Sequence, residues 1–198
     1  MFAGANQCQP PATLLQPLGR IYTPEQSARL LAALMAKTPW QRDYEAFGRR
    51  IHIPRLQAWF ADAGIHYRYS DNQLDTCNWN PLLSGIKQHI EQLCGYHFNS
   101  VLLTCYRDGN DEVGWHADDE AELGEAPVIA SLSLGASRRF RFRHKSRDES
   151  GSLLLHDAEL LIMHAEFQHD WQHAVPAEPG ISQPRINLTF RKVVRPEE

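Results

Sequence analysis

Long apolar runs, paired cysteines and a basic excess are all missing from this sequence of 198 residues. No apolar run approaches the roughly 18 residues of a membrane-spanning helix, which argues against a helical membrane protein. The N-terminus lacks the basic start and continuous apolar core of a signal peptide. Four cysteines stand far apart with no C-x-x-C pair, so neither a zinc knuckle nor a disulfide framework is indicated. We therefore expect a cytoplasmic protein with reduced thiols and no membrane partner.

The net charge is −4, from 20 basic and 24 acidic residues. An acidic protein is not typical of nucleic-acid binding, because phosphate contacts usually leave a basic footprint. The charges are unevenly distributed, however. Six Lys or Arg occur in the ten residues 138–147, whereas acidic residues concentrate in 108–125. The sequence therefore leaves room for a local basic surface on an acidic protein.

Two helices are marked by their capping residues. The run T-P-E-Q from Thr23 is a capping box with proline at the first helical position. A second helix is predicted to open at Asn80, before a proline, and to close at Gly95. The residues predicted to be buried are Ala28, Leu31, Leu34 and Met35 in the first helix and Leu82, Leu83, Ile86, Ile90 and Leu93 in the second.

Beyond the second helix the chain consists of short strands separated by Gly, Pro and acidic turns. No helical pattern intervenes to give parallel crossovers, so the predicted fold class is mainly β with flanking helices, an α+β arrangement around a closed or two-layer β structure. The predicted strands are Val101–Tyr106, Val128–Leu134, Arg138–His144, Ser152–Leu155, Leu160–Met163, His173–Val175 and Arg185–Val193.

The first candidate functional stretch ends in a predicted loop that carries His116 and Asp118. At spacing i and i+2, the imidazole and the carboxylate point the same way from an extended backbone. Such a pair supplies two ligands of a metal site. The bare H-x-D pattern is nevertheless a weak motif and needs a second observation.

That second observation is the strand R-x-N-x-T-x-R, which follows His173 by twelve residues. In an extended strand Arg185 and Arg191 lie on one face, together with Asn187 and Thr189. Two arginines on one strand face, after a histidine, suit a small dianionic acid held beside a metal.

His116, Asp118 and His173 together form a candidate 2-His-1-carboxylate triad, which leaves open positions on non-haem Fe(II). With these motifs the chain resembles the AlkB-type, Fe(II)- and 2-oxoglutarate-dependent dioxygenases of the alkylated DNA and RNA repair family. The resemblance covers about residues 47–193. Its most specific parts are the H-x-D-D-E run, the segment PVIASLSLGASRRFRFRHK and the final PRINLTFR. His164 and His169 are the nearest competitors to His173, but neither stands at the matching position.

The resemblance implies a double-stranded β-helix of the jelly-roll type. We predict a single AlkB-like dioxygenase domain over residues 1–198. Within it, residues 1–20 are predicted to be an irregular lead-in, residues 21–97 the helices and a nucleotide-recognition lid, and residues 98–194 the jelly-roll catalytic core.

The same resemblance implies Fe(II) as the metal, with 2-oxoglutarate and dioxygen as co-substrates. Arg185 is expected to hold the distal carboxylate of 2-oxoglutarate as a fork, aided by Tyr106 and Asn187. Arg191 is expected nearer the metal-binding end of the co-substrate. Thr104 departs from the pattern, because many relatives have Asn there. A hydroxyl can still donate one hydrogen bond, but the second contact of an amide is lost.

Basic and aromatic residues alternate irregularly between residues 40 and 69. One interpretation is a short hairpin with loops that cover the sheet; the other is a lid that stacks on a displaced base and contacts its phosphates. By resemblance, Tyr69 and His116 would sandwich the base and Tyr67 would offer it a hydroxyl. Phe47 resembles the wedge that fills the gap left by the base, although a core phenylalanine is the alternative. Arg55 is predicted to contact the substrate in the same lid.

Asp119 and Glu120 directly follow the metal-ligand motif. By resemblance, Glu120 would contact the exocyclic amine of the damaged base, and either acid would steady Arg191. Solvated acids in an acidic loop are the alternative. Further along the chain a basic strand alternates cleanly, with Arg139, Arg141, Arg143 and Lys145 on one face and Phe140 and Phe142 on the other. This strand is either a charge-protected edge or, as we favour, a phosphate-binding rim.

The implied function is oxidative demethylation of N-alkylated bases in DNA or RNA, such as 1-methyladenine and 3-methylcytosine, by a monomer that releases succinate, CO2 and formaldehyde. An alternative keeps the iron chemistry but acts on a protein side chain or a small metabolite, and the acidic net charge favours it. A third interpretation is a β-barrel binding module with a structural metal. Such a closed site needs a fourth protein ligand, and the sequence offers no obvious candidate.

Overall fold

The computed structural model describes residues 14–46, 49–65, 68–69, 72–73 and 76–194. For 44–46, 49–51, 68–69 and 72–73 it describes the backbone alone. The α-helices are α1 (Pro24–Lys37), α2 (Pro81–Cys94) and α3 (Ala165–Asp170), and a single 3-10 turn covers Ala121–Leu123. None of the described helices is both long and apolar enough to cross a membrane.

The first two helices begin and end at the predicted signals. The Thr23 side chain accepts a hydrogen bond from the backbone N–H of Gln26, whose own side chain accepts from the N–H of Thr23. In α2 the Asn80 side chain accepts from the N–H of Leu83, and Gly95 ends the helix at φ +75°. A left-handed residue in this position is what glycine allows without strain.

The predicted buried faces are partly wrong. In α1 the buried residues are Ser27 and Leu34, whereas Ala28 and Met35 are exposed. The face is rotated toward Ser27 because the Ser27 hydroxyl donates to Asp157, a turn residue that also accepts from the backbone N–H of Gly135. In α2, Leu93 is 47% exposed and lies outside the apolar cluster that the helix forms with the sheet.

Most of the described chain is extended. The strands, numbered in chain order, are β1 (Leu15–Arg20), β2 (Gln41–Ala46), β3 (Arg49–Ala61), β4 (Arg68–Tyr69), β5 (Asn72–Gln73), β6 (Thr76–Asn78), β7 (Ser100–Tyr106), β8 (Val113–His116), β9 (Ile129–Gly135), β10 (Arg138–His144), β11 (Ser150–Leu155), β12 (Glu159–Met163), β13 (Trp171–Val175) and β14 (Arg185–Arg191). All seven strands predicted from the sequence are present, with shifts of one or two residues at their ends.

Two sheets dominate the fold. The major sheet has the order β1-β12-β9-β14-β7-β3-β2, with β6 paired alongside β3, and the minor sheet has the order β11-β10-β13-β8. Within the major sheet the neighbours along this order are antiparallel. The minor sheet is antiparallel as well.

The two sheets enclose one apolar layer, and the first two helices form a second. Trp59 and Leu102 of the major sheet share a cluster with Phe140, Phe142 and Trp171 of the minor sheet. The outer face of the major sheet packs against the helices through Leu34, Leu83, Ile86, Ile90, Leu103 and Ile186. The predicted fold is therefore confirmed: mainly β with flanking helices around a double-stranded β-helix core.

Several predicted details are corrected. The lead-in predicted to be irregular through residue 20 contains β1, an edge strand with a bulge between Pro17 and Gly19 that breaks its alternation. The segment for which a short hairpin was one interpretation does form an antiparallel hairpin of β2 and β3, but this hairpin belongs to the major sheet, where residues 56–61 of β3 pair with β7. Strand β10 lies between β11 and β13, so its interpretation as an edge strand is wrong.

Candidate metal and co-substrate site

The three predicted metal ligands meet at the edge of the minor sheet. His173 on β13 stands directly opposite His116 on β8, with ring centroids 4.2 Å apart. His173 Nε2 lies 3.8 Å from Asp118 Oδ2, and one ligand atom from each of the three residues falls within 4.8 Å of the others. His116 is the last residue of β8, not part of a loop as predicted. Pairing with β13 fixes the two imidazoles side by side.

The electrostatics of this cluster favour metal binding. Burial lowers the pKa of both histidines, and His116 helps to bring the pKa of His173 to about 3. Burial alone would raise the pKa of Asp118, but Arg191 and the two histidines outweigh it and hold that pKa at about 2. At neutral pH the site therefore presents two neutral imidazoles and one carboxylate, which are the protonation states that metal ligation needs.

The ligand atoms are arranged to bind a metal ion that keeps free coordination positions. His116 Nδ1 donates to the carbonyl of Gly114 at 2.8 Å, which leaves the Nε2 lone pair as its donor. Asp118 Oδ2 is buried and has no hydrogen-bond partner among the described residues. Within the described part of the chain no fourth His, Cys, Asp or Glu joins the cluster. Two imidazoles and one carboxylate fit Fe(II) with free coordination positions.

Two buried residues hold Asp118 in place. Arg191 Nη2 donates to Asp118 Oδ1 at 2.5 Å. Gln168 Oε1 accepts from the backbone N–H of Asp118 at 3.0 Å. Gln168 was missed because α3 has six residues, too few to show helical periodicity in the sequence. The predicted support of Arg191 by Asp119 is not found. Asp119 Oδ2 instead accepts from Lys145 Nζ at 2.8 Å.

The predicted 2-oxoglutarate residues lie on the facing major sheet. In the antiparallel pair of β7 and β14, Arg185 is opposite Tyr106 and Asn187 is opposite Thr104. Arg185 is 1% exposed, and its Nη2 donates to Ser133 Oγ and to Asn187 Oδ1. Its Nε and Nη1 are buried without a hydrogen-bond partner among the described residues. A buried guanidinium with free N–H donors fits a carboxylate of the co-substrate.

Burial also lowers the pKa of Arg185 below its ordinary value. Asn187 is engaged mainly by protein groups, because its Oδ1 accepts from Arg185 and Ser131 and its Nδ2 donates to Thr189. In this arrangement Asn187 fixes the direction of Arg185. Its direct contact with the co-substrate remains a prediction.

Arg138 and Gln57 are further site residues that the sequence reasoning missed. Arg138 is buried, donates to the carbonyls of Asp108, Asp111 and Pro176, and lies 5.2 Å from the ring centre of Tyr106. It holds two loops around the Tyr106 ring. Gln57 on β3 is buried and lines the same cavity as Arg185 and His173. Arg138 falls on the same side of the alternating strand as Phe140 and Phe142. This position was the available sequence signal that its side chain points inward.

The basic strand has the predicted alternation. Arg139, Arg141 and Arg143 are exposed on the outer face of the minor sheet, and Phe140 and Phe142 are buried. The guanidinium of Arg143 lies 4.4 Å and that of Arg141 5.7 Å from the ring centre of Trp115. Lys145 continues this surface toward Asp118, since its Nζ contacts both the neighbouring Asp119 and the carbonyl of Gln168.

The predicted substrate contacts are only partly described. Phe47, Tyr67 and the side chain of Tyr69 lie outside the described residues. Arg55 Nη1 donates to the carbonyl of Glu112 at 3.2 Å, and Glu120 is half-buried where the 3-10 turn begins. The competing histidines lie elsewhere. His169 donates to the carbonyl of Glu125, and His164 packs against Tyr96 and contacts Gln16.

Comparison with known proteins agrees with this site. The profile of the 2OG-Fe(II) oxygenase superfamily matches residues 15–191. The chain is 40% identical over 178 residues to human alpha-ketoglutarate-dependent dioxygenase alkB homolog 3, covering 83% of this chain and 60% of that protein. It is 41% identical over 158 residues to human DNA oxidative demethylase ALKBH2, covering 76% of this chain and 60% of that protein.

A mouse DNA oxidative demethylase ALKBH2 is 36% identical over 180 residues, which cover 86% of this chain and 72% of that protein. The chain thus spans about 60% of the length of its human relatives. A solved structure of OsALKBH1 has the same fold, with a TM-score of 0.63 at 16% identity over 94% of this chain and 100% of that one. From the triad, the buried arginine and these matches, the chain belongs to the 2OG-Fe(II) oxygenase superfamily and, within it, to the AlkB-type dioxygenases.

Proposed function

We propose that this protein is an Fe(II)- and 2-oxoglutarate-dependent dioxygenase that demethylates N-alkylated bases in DNA or RNA. The observation that carries the proposal is the cluster of His116, Asp118 and His173 facing the buried guanidinium of Arg185 across one cavity. The names of the relatives, a DNA oxidative demethylase among them, support nucleic acid as the substrate class.

Bound Fe(II) and 2-oxoglutarate would supply the oxidation, in which the keto acid loses CO2, one atom of dioxygen enters the resulting succinate and the other enters the N-methyl group. The hydroxymethyl product then loses formaldehyde to leave the unmodified base. The chain's own residues bind and orient the reactants. His116, Asp118 and His173 would ligate the metal, and Arg185 would hold the distal carboxylate of the keto acid. The apolar layer between the sheets excludes water from the reacting atoms.

The arrangement of charge supports a nucleic-acid substrate despite the acidic total. Arg139, Arg141 and Arg143 are exposed on one face. Lys145 links that face to Asp119, the residue after the proposed ligand Asp118. A phosphate backbone that follows these residues would pass beside the site, because Gln168 joins Lys145 to Asp118. We therefore assign this face as a phosphate-binding rim.

We also propose that the protein acts in the cytoplasm and as a monomer. The described cysteines Cys77, Cys94 and Cys105 are free thiols, which suits the reducing cytoplasm. All three proposed metal ligands come from one chain, so a monomer is sufficient for the reaction.

The decisive experiment uses purified protein, Fe(II), 2-oxoglutarate and oligonucleotides that carry 1-methyladenine or 3-methylcytosine. We expect equal amounts of formaldehyde and repaired base, and a His173→Ala variant as control should give neither. Succinate formation without base repair would instead favour a protein side chain or a small metabolite as the substrate. Metal binding without either product would favour a structural metal.

A further inference from the structure

Gln57 belongs to a row of polar side chains that crosses the inner face of the major sheet. It is paired with Thr104 on β7, which is paired with Asn187 on β14, which in turn is paired with Ser133 on β9. Side chains at paired positions point to the same side of a sheet, so the four residues form one continuous line. The line lies on the cavity side, since three of its members line the cavity that also contains His173.

The two ends of this row differ in their hydrogen bonding. Ser133 and Asn187 are engaged with Arg185. Gln57 is 4% exposed and Thr104 is 5% exposed, and both line the cavity. Neither side chain hydrogen-bonds to another residue among the described contacts, and neither has a polar atom that is fully buried, so their hydrogen-bonding groups open into the cavity. A ligand in the cavity can therefore reach both groups.

The position of Gln57 identifies that ligand. Along β14, Asn187 lies one step of about 7 Å from Arg185 in the direction of Arg191. The row of Gln57 therefore lies between the two arginines, in the space where a keto acid held by Arg185 would extend toward the metal. A dianionic acid offers only acceptors, whereas the amide of Gln57 and the hydroxyl of Thr104 offer donors.

We propose that Gln57 is a co-substrate-binding residue whose amide donates a hydrogen bond to a carboxylate oxygen of 2-oxoglutarate, next to the hydroxyl of Thr104. Thr104 supplies one donor, and the amide from the neighbouring strand supplies a second. The inference rests on the proposed function, because it assumes that 2-oxoglutarate occupies the cavity.

The test measures binding of 2-oxoglutarate to the Mn(II)-loaded protein by calorimetry, so that no turnover is needed. Gln57→Met keeps the volume of the side chain and removes the donor. We expect Kd for 2-oxoglutarate to rise by about tenfold or more, the effect of losing one hydrogen bond to a charged group. Binding of Mn(II) alone should be unchanged. The melting temperature of the unliganded variant should stay close to that of the wild type, because methionine keeps the volume of the side chain and no hydrogen bond within the described chain is lost.

Two further variants sharpen the assignment. Gln57→Glu places a negative charge against the dianion and should weaken binding more than Gln57→Met does. Thr104→Asn in the Gln57→Met background adds an amide from the adjacent strand and should recover most of the lost affinity. Gln88→Met, at an exposed position of α2, is the matched control and should bind like the wild type.

The outcomes separate this inference from the proposed function. If the wild-type protein with Mn(II) does not bind 2-oxoglutarate at all, the proposed function fails. If the wild type binds and Gln57→Met binds with the same Kd, only the role of Gln57 is refuted. Loss of oligonucleotide binding with an unchanged Kd for 2-oxoglutarate would likewise refute it and assign Gln57 to the substrate.

Discussion

The two sheets that face each other across the cavity contribute different chemistry. The minor sheet carries the proposed metal ligands His116 and His173, whose pKa values are lowered by burial. The major sheet carries buried cations and neutral polar groups, with Arg185 held by Ser133 and Asn187. One side therefore presents electron-pair donors to a cation, and the other presents hydrogen-bond donors to an anion.

This division means that metal binding and co-substrate binding should be separable by mutation. An ion pair between Arg191 of the major sheet and Asp118 beside the minor sheet directly links the co-substrate side to the metal side. Substitutions on one sheet that do not touch this ion pair should leave the binding affinity supplied by the other sheet unchanged. Four variants test this separation of metal binding from co-substrate binding, from the largest expected loss of affinity to the smallest.

The largest effect is expected from His173→Ala on the minor sheet. Removing one of three ligands should weaken Mn(II) or Fe(II) binding by more than about 100-fold, beyond the range seen for supporting residues. The change is measured by metal titration under anaerobic conditions. His97→Ala, at an exposed imidazole, should bind metal normally. Retention of wild-type affinity in His173→Ala would remove His173 from the ligand set.

On the major sheet, Arg185→Ala should raise Kd for 2-oxoglutarate by roughly 100-fold while the affinity for metal alone stays unchanged. The expected size of this effect follows from the loss of a charge-assisted contact between a carboxylate and two N–H groups of a buried guanidinium. Calorimetry on the Mn(II)-loaded protein measures it. Arg139→Ala, on the outer face, is the control. A parallel fall in metal affinity would contradict the separation of the two sheets.

A smaller effect is expected for Gln168→Leu, which removes the acceptor for the backbone N–H of Asp118. Metal affinity should fall by about tenfold, the lower end of the range for residues that orient ligands. The affinity of the metal-loaded protein for 2-oxoglutarate should not change. Gln92→Leu at an exposed site of α2 is the matched control. A change in the affinity for 2-oxoglutarate alone would contradict the assignment of Gln168 to metal binding.

The smallest effect is expected for Arg141→Ala on the outer face of the minor sheet. Loss of one phosphate contact should weaken binding of a methylated single strand by about fourfold and reduce the slope of log K against log salt by about 0.7. Arg29→Ala on α1 should leave the slope unchanged. Kd for 2-oxoglutarate should be the same in both variants. An unaltered slope in Arg141→Ala would argue against the rim.

Local signals in the sequence were reliable. The caps at Thr23 and Asn80 were correct because each is decided by neighbouring residues and needs no tertiary contact. The alternation of β10 was also correct, since a strand with one buried face must repeat every two residues. The metal cluster was predicted by combining two separate motifs, supported by the resemblance, because the pairing of β8 with β13 leaves no mark in either segment alone.

The missed elements are those whose pattern is broken or short. Pro17 and Gly19 interrupt the strand pattern of β1. Strand β8 has only four residues, one of them a glycine, and α3 is too short to show a helical period. Gln57 was missed for a related reason. Its basic and aromatic neighbours suggested a lid, and only the register of β3 against β7 reveals that its side chain faces the cavity.

The central claim is that one cavity holds a metal on one wall and a keto acid on the other. A crystal structure of the protein with Mn(II) and 2-oxoglutarate tests it most directly, with anomalous scattering to locate the metal. We predict one ion bound by His116, Asp118 and His173, with the far carboxylate of the acid on Arg185. An ion bound elsewhere, or an acid that does not contact Arg185, would contradict the account.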